Sequence, residues 1–427
     1  MTADTMRTLH PTLARRLILT LPVWFVLFSV DAQPESPRPH SAGLVVKQKV
    51  VHLDAPAREP MLVEHPDGDL FVAGYGAERP YLRKSADRGA SWTRVDVGRE
   101  ADGAIGNSDV DLAVATDGTL YFVVMSYNRK IEEGTGVAVG VSRDRGSTWK
   151  WTTLSRNRFD DRPWVEVAPD GTAHVVWNDG GVNHRSSTDR GATWSSVTRV
   201  HPQGCSSHLA IGPHGELAVR VTPLSASGNK FDEGVDLIAV STDGGVSWEK
   251  RAAPGKREWD KDWGTPNANP SLTERWVEPL AWDSKGNLYG LWTDRTGIWL
   301  AQSQDRGTNW MQWQIRTTSD NAHFQYLVAG RPGEVAATWF TGQQASLRWH
   351  AMRIDIPADG SPRMSESEAF DVDARIGPDR PGDAVQLTSA GEYISVAILR
   401  DGSLGVISPI QDPLEWRYGF TFWRFVR

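Results

Sequence analysis

One motif constrains this chain more than any other feature. S-x-D-x-G-x-x-W returns five times, as SADRGASW at 85–92, SRDRGSTW at 142–149, STDRGATW at 187–194, STDGGVSW at 241–248 and SQDRGTNW at 303–310. Its aspartates, Asp87, Asp144, Asp189, Asp243 and Asp305, stand 57, 45, 54 and 62 residues apart. So loose a period belongs to a radial array whose units carry loops of different length; a solenoid keeps a stricter one. Each position has a task in a tight turn. The glycine permits a positive φ, the carboxylate accepts hydrogen bonds from turn amides, and the tryptophan buries a large area over the loop. A catalytic group is not needed five times around a ring, so the motif reads as a turn staple.

A second repeat interleaves with the first. VEHPDGDLFVAGY, LAVATDGTLYFVVMSY, VEVAPDGTAHVVWND, LAIGPHGELAVRV, LAWDSKGNLYGLWTD, LVAGRPGEVAATWF and VQLTSAGEYISVAIL each run from an apolar stretch through a glycine into a second strand. The turn glycines are Gly68, Gly118, Gly171, Gly215, Gly286, Gly333 and Gly391. This alternation predicts a hairpin between strands A and B of a blade, and the tryptophan motif then closes the turn between strands C and D. The expected fold is an all-β propeller of four-stranded blades, seven in number, with six as the alternative because the last two units lack the motif. The aromatic C-terminus, WRYGFTFWRFVR, is expected to close the ring by pairing with LVVKQKVVHL at 44–53 as the outer strand of the last blade.

Composition agrees and excludes other classes. Forty glycines and 20 tryptophans in 427 residues suit tight turns with aromatic plugs. A net charge of −7 lacks the basic excess of a nucleic-acid binder. Cys205 is the only cysteine, so no internal disulfide forms. Arg15 and Arg16 precede an apolar run at 17–30, and Val30-Asp31-Ala32 offers small residues at a cleavage site. Residues 1–32 therefore read as a signal peptide for secretion or periplasmic export, with an uncleaved anchor as the alternative. The 14-residue apolar run is short of the ~20 needed to span a bilayer. A Pro-rich spacer at 33–43 and the propeller at 44–427 complete the expected organisation.

If the C–D and A–B turns share one face, the D–A and B–C loops form the other, and loops on a rigid scaffold carry function. The D–A side then offers Arg58, Asp109, Asp111, the run Asp160-Asp161-Arg162, His208, Glu278, Tyr326 and Arg380. The B–C side offers Tyr75, Glu78, Tyr127, Asp179, Asp294 and Arg295. Arginine forks and aromatic faces suit an acidic or polyhydroxylated ligand. Insertions at 225–235 and 256–276 fall on the same side, and Trp259, Trp263 and Trp276 are candidates to wall a sugar-sized pocket. Scattered histidines without H-E-x-x-H disfavour a zinc hydrolase, and neither G-x-S-x-G nor a P-loop is present.

The five motifs resemble the Asp boxes of the sialidases, or neuraminidases, and of the wider Asp-box propellers, a similarity that runs from about Ala57 to the end. The resemblance implies a propeller whose boxes lie opposite the active site, and a glycoside hydrolase acting on terminal acidic sugars without metal or cofactor. Arg58-Glu59-Pro60 resembles the family's Arg-Ile-Pro, whose arginine binds the substrate carboxylate. Glu278 and Arg295, 17 residues apart, resemble its paired glutamate and second arginine. Tyr326 is the candidate nucleophile, with Tyr393 as rival. Where the family places its acid, the first B–C loop offers only Glu78, with Asp109 and Asp111 in the next blade. Arg162, Asp161 and Asp179 are further substrate-binding candidates, and Arg348, Arg353 and Arg380 compete as third arginine. A non-catalytic propeller that binds a glycan or a protein is the other reading.

Overall fold

The computed structural model describes residues 43–427 except 55–56, 76–78, 223–235, 256–277, 295–296, 318–321, 343–347, 359, 372–393 and 413–416. Seven antiparallel sheets follow one another along the chain. The blades begin with the innermost strands Arg58–Glu64, Val110–Val114, Asp161–Val167, Cys205–Ile211, Leu280–Trp282, Ala322–Ala329 and Ser395–Ile398. The first six supply all four strands in chain order, and the sixth adds a short fifth strand, Phe370–Asp371. Seven blades is the count, as expected. Among the described residues no helix is long and apolar enough to cross a membrane.

The last blade closes the ring as its aromatic alternation predicts. Val45–Leu53 pairs antiparallel with Arg417–Val426, from Val45 opposite Val426 to Leu53 opposite Gly419. Phe420 and Phe422 are buried against Trp92 of blade one, with ring centroids 5.3 and 5.6 Å apart. This also explains why blade seven lacks the tryptophan motif. Its outer strand comes from the other end of the chain, so it has no C–D turn to staple. One register expectation is corrected here: the seventh A–B turn is not at Gly391, which lies outside the described residues. The turn is closed by Leu399 N–H to the Ser403 carbonyl, with Gly402 at φ 80°. ILRDGSLGVI carries the same apolar–turn–apolar pattern one step later in the chain than VQLTSAGEYI, and the pattern alone does not rank the two.

The motif does more than hold its own turn. Asp87 Oδ1 accepts from the Ser91 amide at 2.8 Å, Oδ2 accepts from the Ser91 hydroxyl at 2.6 Å, and the Ser85 hydroxyl takes the Gly89 amide at 2.7 Å. The same geometry recurs at Asp144, Asp189, Asp243 and Asp305. These bonds, led by the Ser247 hydroxyl, hold the Asp243 carboxyl down to about 2. Neighbouring blades lock onto the turn. Arg145 Nε bonds Asp69 in the A–B turn of blade one at 3.0 Å, Arg190 Nε reaches Asp117 in blade two at 2.9 Å, and Arg143 donates to the Asp189 and Arg190 carbonyls at 3.2 and 2.9 Å. The motif glycine is needed for space as well as for φ. A Cβ on Gly89 would stand 2.2 Å from Phe422 of blade seven, and one on Gly245 would stand 2.1 Å from His184 of blade three.

Asp243→Ala removes a carboxylate that works like a helix N-cap, and should cost about 1 kcal/mol in denaturant unfolding at neutral pH. Because the folded carboxyl is held below its unfolded value, this stabilisation is present above about pH 4 and is lost as pH falls toward 2. Parent and variant unfolding curves should therefore converge in acid.

Candidate functional site

The D–A end of the ring is marked by backbone strain. Pairing slips between Arg58 and Met61 in blade one, between Asp161 and Trp164 in blade three, and between His323 and Tyr326 in blade six. At each slip a non-glycine residue takes a left-handed conformation: Glu59 at φ 44°, Arg162 at 46° and Phe324 at 52°. Bulges of this kind re-aim side chains, and each strained residue costs of order 1–3 kcal/mol. In blade one, Tyr75 on the adjacent strand donates to Glu59 Oε1 at 3.1 Å, and the Arg58 guanidinium lies 5.4 Å from the Tyr75 ring centroid. In blade three, Arg162 is largely buried with Nε 3.7 Å from Asp161 Oδ2. Just before it, buried Asp160 accepts from Ser155 Oγ at 2.8 Å and the Asn157 amide at 2.9 Å, and burial pushes its carboxyl up to about 6.

The remaining sequence candidates divide. Asp179 sits on the rim, accepting from Arg199 at 2.7 Å and Asn157 Nδ2 at 3.2 Å. Glu278 is fully buried where blade five begins, and among the described residues it and Asp236 both pair with the buried Arg220 of blade four. Tyr326 stands at mid-channel, its hydroxyl 3.5 Å from His208 Nε2 and 3.6 Å from Met61 Sδ. Burial, with Asp111 and Glu166 nearby, pushes this phenol far above its ordinary range, the opposite of what an activated nucleophile needs. Glu78, Arg295, Tyr393, Arg380, Trp259, Trp263 and Trp276 lie outside the described residues. Arg348 and Arg353 are held elsewhere, by Asp371 at 3.1 Å and by Glu334 respectively.

Sequence reasoning placed Asp111 and Tyr326 among the D–A candidates and missed Glu166, which shares a cavity with them. A cavity of about 530 Å³ runs from mid-channel toward the A–B turns, the end opposite the D–A entries. Tyr326, Met61, Asp111 and Ser395 stand at its inner end, with Arg331, Glu334, Arg400 and Glu64 toward its mouth. Asp111 bridges blades, since Oδ1 accepts the Leu112 amide and Oδ2 the Val165 amide, each at 2.8 Å. Ser395 Oγ makes the corresponding bond from blade seven to the Leu62 amide at 3.1 Å. Glu166 lines the same space. Counted back from the A–B turn hydrogen bond, its counterparts are Val63, Ala113, Ala210, Ala281, Val328 and Ala397. That exception was readable five residues before each turn glycine, once the seventh turn is set at Gly402.

Burial raises the Glu166 carboxyl to about 7, and burial with Glu166 nearby raises the Asp111 carboxyl well above the usual carboxylate range. A carboxyl whose folded value lies above its unfolded one stabilises the fold only at low pH, and that contribution is lost as pH rises through about 7. Glu166→Gln should therefore leave stability near that of the parent below about pH 4.5 and raise it by about 2 kcal/mol at pH 8, read by denaturant melts across pH.

No family model matches the chain, and no curated protein matches it in sequence. Solved structures match in fold. A GH74 xyloglucanase from Xanthomonas campestris is 16% identical, covering 87% of this chain and 55% of its own, with a TM-score of 0.53. The chain thus spans about half the length of that enzyme. A fungal alcohol oxidase in complex with copper is 10% identical over 89% of this chain and 76% of its own, also with a TM-score of 0.53. The NanB sialidase of Streptococcus pneumoniae is 11% identical over 92% and 71%, with a TM-score of 0.42. At these identities what the chain holds in common with the two structures at 0.53 is the fold alone.

Proposed function

We propose that this chain is a glycoside-hydrolase-like propeller acting on a carbohydrate with an acidic sugar, at the D–A end of the ring. The observation that carries the reading is the pair of strained entries, Arg58-Glu59 with Tyr75 and Asp161-Arg162, which hold arginine beside carboxylate at the same end of two innermost strands. Natural chains retain strain of this kind mainly at ligand sites. Arg58 and Arg162 supply forks for an acidic group, and Glu59 and Asp161 supply carboxylates for proton transfer. The nucleophile and partner roles that the sialidase resemblance implies for Tyr326 and Glu278 stand against the raised phenol of the one and the Arg220 ion pair of the other. The engagement of Glu278 by Arg220 favours a second reading, a glycan-binding propeller without turnover.

A panel of fluorogenic glycosides, led by an α-linked sialoside, tests the proposal. The parent should release fluorophore, and Arg58→Ala should lower kcat/KM by about 100-fold, the loss of one charged hydrogen-bonded contact worth about 3 kcal/mol. Tyr326→Phe should abolish kcat if the tyrosine is the nucleophile and leave it nearly intact if carboxylates do the work. Absence of turnover on every glycoside by a folded parent would leave the binding reading.

A further inference from the structure

The channel cavity calls for its own account, because its chemistry differs from that of the D–A end and its mouth lies on the opposite face. At about 530 Å³ it falls within the range of small-molecule sites. One glutamate, Glu166, replaces the valine or alanine that the other six blades carry at the same register position. A carboxyl in an otherwise aliphatic ring costs stability, and a seven-fold repeat offers six ready examples of a cheaper residue. Stability forfeited at a single cavity-lining position marks a functional site. The packing around Glu166 supplies a second acid, Asp111, the phenol ring of Tyr326 and the thioether of Met61.

We propose that this cavity binds a small organic ammonium ion, held by Glu166 and Asp111 against the Tyr326 ring. Two carboxylates in a low-dielectric space repel each other, and a monocation between them relieves that repulsion. An aromatic face adds cation–π attraction that a neutral ligand does not gain. The mouth does not oppose entry, since Glu64 and Glu334 offset Arg331 and Arg400 there. The other titratable group at the inner end, His208, is held neutral by burial, which lowers it to about 4. The inference does not depend on glycosidase activity.

Isothermal titration of the full chain at about pH 8 with benzylammonium chloride, and with benzyl alcohol as its neutral isostere, tests the site. Benzylammonium should bind, benzyl alcohol should bind at least about tenfold more weakly, and Glu166→Gln should lose at least about tenfold for the cation alone. In the parent, affinity should also rise between about pH 5 and pH 8, because the cation binds the ionised acids and competes with protons. This readout needs no variant to fold. Equal binding of the alcohol, a flat pH profile, an unchanged Glu166→Gln variant or no binding of benzylammonium would each overturn the proposal. Ammonium binding with no glycoside turnover would leave it standing while the reading at the D–A end fell.

Discussion

Deleting residues 412–427 should leave a chain that does not reach the folded state, with no cooperative thermal transition and no protease-resistant core. The deleted stretch holds the strand Arg417–Val426, which pairs on one side with Val45–Leu53 and on the other with Leu404–Asp412. Its loss leaves Val45–Leu53 and Leu404–Asp412 without their partner strand and takes away the blade seven face that packs on Trp92 of blade one. It also removes Phe420, Phe422, Trp423 and Phe425, all buried. At about 2–3 kcal/mol for each buried aromatic, the apolar loss alone is comparable to the whole net stability of a domain. A truncated protein that melts like the parent would show that ring closure by the termini is not what holds the fold. A milder check is Gly419→Val, where a Cβ would stand 1.8 Å from the His52 carbonyl and force the two strands apart.

Arg220→Met is expected to be the most damaging single substitution, costing about 3–5 kcal/mol in equilibrium unfolding. Arg220 is fully buried between Asp236 and Glu278, themselves 1% exposed. Methionine fills much of the volume but leaves two carboxylates without their shared cation in a dry interface between blades four and five. The triple variant with Asp236→Asn and Glu278→Gln should recover most of the loss, because the penalty lies in two buried charges losing their shared cation rather than in packing. A triple variant as unstable as Arg220→Met would place the cost in cavity formation instead. The same set separates a structural from a catalytic role for Glu278. If the glutamate only braces the blades, Glu278→Gln lowers stability while kcat of any glycosidase activity survives.

The turn motifs were legible in the sequence because they are local. Asp87 and its four equivalents bond within their own five-residue turns, so spacing alone carries the geometry. The ring closure was legible because aromatic alternation at 416–427 has one matching apolar strand left at the other end of the chain. What the sequence does not show is partnership between distant residues. Nothing near Glu278 announces Arg220, 58 positions earlier, and Glu278 by itself reads equally well as a catalytic carboxylate. Nor does any motif announce that Arg145, Arg190 and Arg143 join one blade to the next, since the Arg in D-R-G and the Arg before Asp144 both look like solvated turn residues. Glu166 was missed for a different reason. Its neighbours alternate as an ordinary strand, and it stands out only when seven units are set in register on their turns.

The proposed function requires that carbohydrate meet the D–A end of the ring rather than the A–B end. Hydrogen exchange of the chain in the presence of 3′-sialyllactose, followed by mass spectrometry, decides this without requiring turnover. Slowed exchange is expected at the entries around Arg58–Met61 and Asp161–Trp164, with the A–B turns around Gly68, Gly118 and Gly402 unchanged. Protection confined to the A–B turns, or none at saturating ligand, would contradict it.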